Sequence, residues 1–377
     1  MNSQNHIISA VDQVIEPPAL WIERLSKSKF GARIPHIERS ADGVDRWFID
    51  GRAHALAQSA DVGALLPDRV ATAKQWDDIP NAAYDAAARL EAMDEDGIGH
   101  SVLYPSLAGV SGERFGALTD PELALACAQA YNDWLSDEWM HTSERFIPQC
   151  VVPLSPIGAT VAEIRRAVGR GHRGVIFPAA PMQLGALPHI NDTDYDPVWA
   201  TCQELEVPLC FRAGSTPELF QFPIPPNLAP ELAAAMQSAT RSASAVFDLT
   251  NILFSRILLR FPKLKVVFAG STIGWGTFLL EYADHQYEQD HCDYPLKPSE
   301  MFHRQCYLTA WYDQAKINAP HIGIDNILWS TNFPAADSSW PDTRKHVTKG
   351  IAGMSETEQR HILSGNAAKL YKIPKVN

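Results

Sequence analysis

The side chains best placed for chemistry in this sequence stand just after short apolar runs. Asp12, Gln13 and Glu16 fall in Ile8-Ser-Ala-Val-Asp-Gln-Val-Ile-Glu-Pro-Pro18, a β-branched run that stops on two prolines. Arg212 closes Pro208-Leu-Cys-Phe-Arg212, and Ser215 and Thr216 come just after it. Ser271 and Thr272 follow Leu264–Ala269. Trp311, Tyr312 and Asp313 follow Cys306–Thr309. Asn332, Asp337 and Ser338 follow Ile327–Ser330. A carboxylate becomes a general acid or base when burial raises its pKa. A guanidinium grips a carboxylate or a developing oxyanion through its planar fork.

Each of these residues also has a structural role open to it. Arg212 either anchors substrate or forms a salt bridge inside the fold, to Glu16 or Asp12. Strand alternation leaves Asp12 facing the site or facing away. Gln13 and Asn332 either contact ligand or satisfy each other. Asp337 either caps a helix or supports Arg212. Trp311 either walls a pocket or packs in the core. Ser271 is a possible substrate contact; as a nucleophile it has no assignable base, and no Gly-x-Ser-x-Gly turn is present.

The elements carrying these residues alternate. Eight short apolar runs, starting at Ile8, Ser101, Phe146, Gly174, Pro208, Leu264, Cys306 and Ile327, read as strands buried on both faces. Helical segments separate them from residue 98 onward, among them 157–168, 229–260 and 274–289. That rhythm predicts an α/β fold, a (β/α)8 barrel in preference to an open doubly wound sheet. A barrel puts its active site at the C-terminal ends of its strands, where the residues above fall. Residues 19–98 lack the rhythm and read as an insertion or cap after the first strand, within one domain spanning 1–377. Inside it, Trp47–Arg52 carries an Asp-Gly turn and predicts a hairpin arm.

Hydrophobic residues make up 46% of the 377 and charged ones 20%, enough for a sizeable core. The net charge of −12 argues against nucleic acid or an anionic membrane surface as partner. No apolar run reaches the length of a membrane span. The start of the sequence lacks the layout of a secretory signal. Six scattered cysteines form no C-x-x-C pair. The expectation is a cytoplasmic protein with reduced thiols, acting on a small molecule.

Several segments resemble the amidohydrolase-related family, which includes aminocarboxymuconate-semialdehyde decarboxylase and aromatic-acid decarboxylases. They include Val14–Trp21, Arg89–Ile98, Val102–Pro105, Gly171–Ala180, Phe261–Ala269 and Trp329-Ser-Thr-Asn-Phe-Pro334. The resemblance implies a barrel, small acidic substrates and a homodimer. It also implies a divalent metal held by a His pair after the first strand, a His after the fifth and an Asp after the eighth. This chain carries Val11 and Gln13, then Arg212, then Asn332 at those places, and Gly270 where a sixth-strand base is common. Valine cannot coordinate, neutral amides are poor ligands, and arginine has no acceptor and stays charged. The expectation is a site without metal or other cofactor. In it Arg212, Asp12 and Glu16 are the candidate catalytic groups, and Gln13, Asn332, Ser271, Asp337 and Trp311 the candidate substrate contacts. The function expected is lyase or hydrolase chemistry on a small or medium apolar carboxylate. The alternative is a non-catalytic binding protein on the same fold.

Overall fold

The computed structural model describes residues 6–57, 59–66, 72–215, 225 and 227–374. Thr216 lies outside them. The eight expected strands all form: β1 (Ile7–Gln13), then β5 (Ile98–Tyr104) to β11. Between β1 and β5 lie three short antiparallel strands, β2 (His36–Arg39), β3 (Asp45–Ile49) and β4 (Arg52–Ala55). The others are β6 (Phe146–Pro148), β7 (Val175–Ile176), β8 (Leu209–Arg212), β9 (Val266–Ala269), β10 (Cys306–Ala310) and β11 (Ile327–Trp329).

β1, β5 and β6 pair in parallel, and so do β7 to β11 in chain order. A parallel bridge from Cys150 to Val175 joins the two sheets. The ring closes where Asn332 donates its amide to the Val11 carbonyl at 3.0 Å and Gln13 donates to the Phe333 carbonyl at 2.6 Å. The result is a parallel (β/α)8 barrel. Its core side chains, such as Val11, Val102, Cys150, Cys210, Val267 and Leu308, are buried because helices cover the outer faces and opposing strands fill the interior.

Helices follow the expected punctuation. Asp120 caps Pro121–Trp134 through two backbone amides, with proline at the first position, where a missing N–H is harmless. Gly97 ends Ala86–Asp96 at φ 74°, a left-handed conformation that glycine adopts without penalty. The hairpin arm also forms: Asp50 and Gly51, both at positive φ, turn β3 into β4. The region read as a cap is subdivided. Its last part, Ala86–Asp96, is the barrel's own helix between β1 and β5. Ahead of it, Ala64 donates its amide to the Pro334 carbonyl at 3.0 Å, which lays this segment against the loop after β11.

Two expectations change. The helical region 229–260 is three helices, Pro230–Thr240, Ala243–Phe254 and Ile257–Arg260. The first break falls at Arg241 and Ser242, where Ser244 bonds the Arg241 carbonyl. The second falls at Arg256, held at φ 63°. Asp337 does not begin a helix; it lies in a turn, and the next helix starts at Thr343. Among the described residues no helix is long and apolar enough to cross a membrane.

Candidate active site

Arg212 is the last residue of β8, and its side chain is 4% exposed. Its backbone amide is anchored by the Ser111 hydroxyl at 3.0 Å, which fixes the strand end. Its Nη2 donates to Asn332 Oδ1 at 2.8 Å, while Nη1 is buried and has no hydrogen-bond partner among the described residues. The guanidinium carbon stands 5.6 Å from the centre of the Tyr104 ring. Burial, helped by the nearby charge of Arg241, lowers its pKa to about 10, so it remains a cation at neutral pH.

Asn332 is the hub of the closing strand. It sits at φ 56°, a region that asparagine tolerates better than most residues. Its Nδ2 donates to Asp337 Oδ1, and the other oxygen of Asp337 accepts from Arg241 Nη1 at 2.9 Å. The Tyr312 hydroxyl donates to the Asp337 carbonyl. A continuous chain therefore runs Arg212–Asn332–Asp337–Arg241, across the ends of β8 and β11 and the helix break at 241–242. It borders an open cavity of about 620 Å³ lined by Arg241, Asp337, Trp275, Trp311, Tyr312, Thr272 and Gly270, among others.

The remaining expected residues are distributed around this chain. Gln13 is buried with Oε1 unpartnered, so it does not pair with Asn332. Trp311 lines the cavity, and its indole nitrogen is also buried without a partner among the described residues. Such orphaned groups are satisfied by ligand or water when a site fills. Ser271 turns inward on its own loop, donating to the Thr272 carbonyl at 3.0 Å and accepting from the Thr309 amide at 3.4 Å.

The two carboxylates expected as acid or base lie elsewhere. Asp12 accepts from Ser9, Ser101, Thr331 and the Phe333 amide at 2.5–3.0 Å. It faces a cavity of about 10 Å³, enough for one water, shared with Arg89, Met93 and Thr331 under the helix Ala86–Asp96. Strand alternation thus sends Val11 and Gln13 one way and Asp12 the other. Asp12 ties β1, β5 and the β11 loop together, and burial raises its pKa. Glu16 accepts from the amides of Ser106, Leu107 and Ala108 at 2.8–3.5 Å. Burial pushes its pKa up to about 7 against those three donors. It borders a separate pocket of about 90 Å³, with Arg114 and Trp47, that shares no lining residue with the large cavity. Neither carboxylate bonds to Arg212.

Arg241 is the site residue that strand ends alone did not single out. Arg241 is hidden inside a helical run. Its one signal was a lone cation in the otherwise apolar and small-residue segment Ala233–Ala245.

A parallel eight-stranded barrel with a polar chain across its strand ends defines a barrel protein of the enzyme-bearing type. The chain belongs to the amidohydrolase family, whose sequence profile matches residues 49–373. It is 24% identical over 324 residues to gamma-resorcylate decarboxylase from a Rhizobium species, covering 79% of this chain and 90% of that one. An amidohydrolase from Mycobacterium avium subsp. paratuberculosis superposes with TM-score 0.78 at 23% identity, over 98% of this chain and all of that one. A dihydroxybenzoic acid decarboxylase from a Polaromonas species, solved with manganese and 2-nitroresorcinol, superposes with TM-score 0.67 at 19% identity, over 99% and 98%.

The donor set does not fit such a metal. Among the described residues no three His, Cys, Asp or Glu side chains converge to hold an ion. At the strand ends stand Val11, Gln13, Gly270, Asn332 and a buried guanidinium. A fixed cation bonded to Asn332 repels a dication from the same place.

Proposed function

We propose that this chain is a metal-independent lyase that removes CO2 from a small or medium aromatic or apolar carboxylate. Its decarboxylase relatives support the reaction class. The observation that carries the metal-free reading is Arg212, buried and charged at the strand end with one N–H face unpartnered. In decarboxylation the carbon that bears the carboxylate is first protonated, which turns the neighbouring phenol or enol into a carbonyl; the C–C bond then breaks, CO2 leaves, and the bond's electron pair passes onto that carbonyl oxygen. A buried guanidinium beside the cavity stabilises that charge, the task a Lewis acid performs in a metal enzyme. Tyr104 and Asn332 hold the guanidinium, and Trp275, Trp311 and Tyr312 give the cavity its aromatic wall. The proton that replaces CO2 comes from the open side of the cavity. Asp12 and Glu16 have no part in this reading, because their oxygens are engaged away from the cavity. The reading extends to a cytoplasmic homodimer, testable by sedimentation and fractionation.

The withdrawal of both carboxylates favours a second reading: a binding protein that holds such acids without turning them over. Incubation with hydroxybenzoates and their vinylogous relatives, followed by CO2 release and product chromatography, separates the two. Turnover that survives exhaustive chelation supports the lyase. Binding with no CO2 above background supports the second reading.

A further inference from the structure

We infer that Arg241, rather than Arg212, receives the substrate's carboxylate, and that Asp337 is the fixed counter-ion that aims it. This rests on the carboxylate-substrate reading above and assigns the recognition step to one residue. Arg241 is on the cavity wall and its side chain is 24% exposed, whereas Arg212 is 4% exposed and stands against the wall at Gly270, where a Cβ would lie 3.9 Å from its Nε. Only Nη1 of Arg241 is taken, by Asp337; the Nε–Nη2 edge makes no hydrogen bond among the described residues. That edge presents two parallel N–H groups, the arrangement that matches both oxygens of a carboxylate.

The stem is as constrained as the head. Gly214, just past β8 at φ 90°, packs under it; a Cβ there would lie 3.6 Å from Cγ and 3.8 Å from Cδ of Arg241. The Gly214 amide also bonds the Ser244 hydroxyl at 3.0 Å, tying the β8 end to the helix that follows Arg241. Arg241 is therefore oriented before any ligand arrives, which reduces the ordering cost of binding.

Charge decides the ligand class. Among the described residues, the charged groups on the wall and in the bonded chain beside it are Arg241, Arg212 and Asp337, a sum of one positive. A protein of net charge −12 thus keeps a locally cationic mouth, which selects a monoanion. The aromatic rings of Trp275, Trp311 and Tyr312 favour a flat apolar body behind that anion. The ligand class is an aromatic monocarboxylate.

The test is equilibrium binding of benzoate and its neutral isostere benzamide, by titration calorimetry, to the full chain and to Arg241→Met and Arg241→Lys. Thermal melts confirm that each variant folds. Wild type is expected to prefer benzoate by about tenfold or more, Arg241→Met to lose that preference, and Arg241→Lys to retain part of it. If wild type prefers benzoate and Arg241→Met keeps the preference within twofold, Arg241 is not the anchor while the carboxylate reading stands. If wild type binds both probes equally, or neither, the inference and the carboxylate reading fall together. Should Arg241→Met not fold, Arg241→Gln takes its place: loss of the benzoate preference with benzamide binding intact supports the assignment, and a preference within twofold of wild type overturns it.

Discussion

Replacing Arg212 by methionine is expected to slow turnover sharply and, against the usual direction, to stabilise the fold. Burial lowers the Arg212 pKa from 12.5 to about 10, a measure of how much the folded protein disfavours its charge. At 1.36 kcal/mol for each pKa unit, that is a cost on the order of 3 kcal/mol. The folded value lies below the unfolded one, so for this base the cost is in full force at every pH below about 10. Methionine has similar reach and no charge. The change removes the bond to Asn332 Oδ1 and leaves that oxygen with one donor fewer, a loss of about 1 kcal/mol. The expected net gain is roughly 1–2 kcal/mol, with decarboxylation falling by about a hundredfold or more, the range seen when a preorganised charge stabiliser is removed. Urea titration at pH 7 with an unchanged m-value, beside single-turnover CO2 release, reads both quantities. A variant destabilised by more than about 1 kcal/mol would refute the reasoning, since Arg212 would then be a structural tie rather than a charge held for function.

Other outcomes follow from the same geometry. Asp337→Ala removes the acceptor that holds both Arg241 and the Asn332 amide, leaving two guanidiniums without a counter-ion; the fold should lose about 1–3 kcal/mol, and molar chloride should restore part of it in denaturant titrations. An unchanged midpoint would show that the bonded chain is not formed in solution. Glu16 has a folded pKa of about 7 against 4.5 unfolded, so the folded state binds the extra proton between those values. Stability should therefore fall as pH rises from about 4.5 to 7 and then level, by on the order of 1–3 kcal/mol from this group, and Glu16→Gln should flatten that slope. Parallel slopes for the two proteins in a pH series of melts would contradict the assignment. Gly214→Ala forces a side chain onto a backbone at φ 90° while its Cβ meets the Arg241 stem at ordinary contact distance; about 1 kcal/mol of stability should be lost in denaturant titrations and the benzoate preference kept in calorimetry. An unchanged stability would show that the positive φ is not kept in solution.

The barrel was legible because strands buried on both faces must be short apolar runs, and all eight were. The Asp-Gly turn at residues 50–51 was legible for an equally local reason, since few dipeptides accept positive φ twice. The site was legible only in part. Arg212 and Asn332 could be placed at strand ends by counting. Their bond could not, because residues 120 positions apart meet only once the barrel closes. Asp12 illustrates the limit of alternation: its direction depends on the register of β1 against β5 and β11, and one residue's shift reverses it. Asp337 read as a helix cap because Asp before a polar stretch often is one; here a turn and two long-range donors claimed it. Arg241 was invisible because helical periodicity describes a helix's interior, and its position comes from the break between two helices.

In the proposed reading the Arg212 guanidinium supplies the positive charge and turnover needs no metal ion. The most direct test is elemental analysis of the purified, catalytically competent protein, repeated after exhaustive dialysis against a strong chelator, with CO2 release measured on both samples. Far less than one metal ion per chain is expected before dialysis, and an unchanged rate after it. A stoichiometric ion whose removal abolishes turnover, and whose return restores it, would contradict the claim.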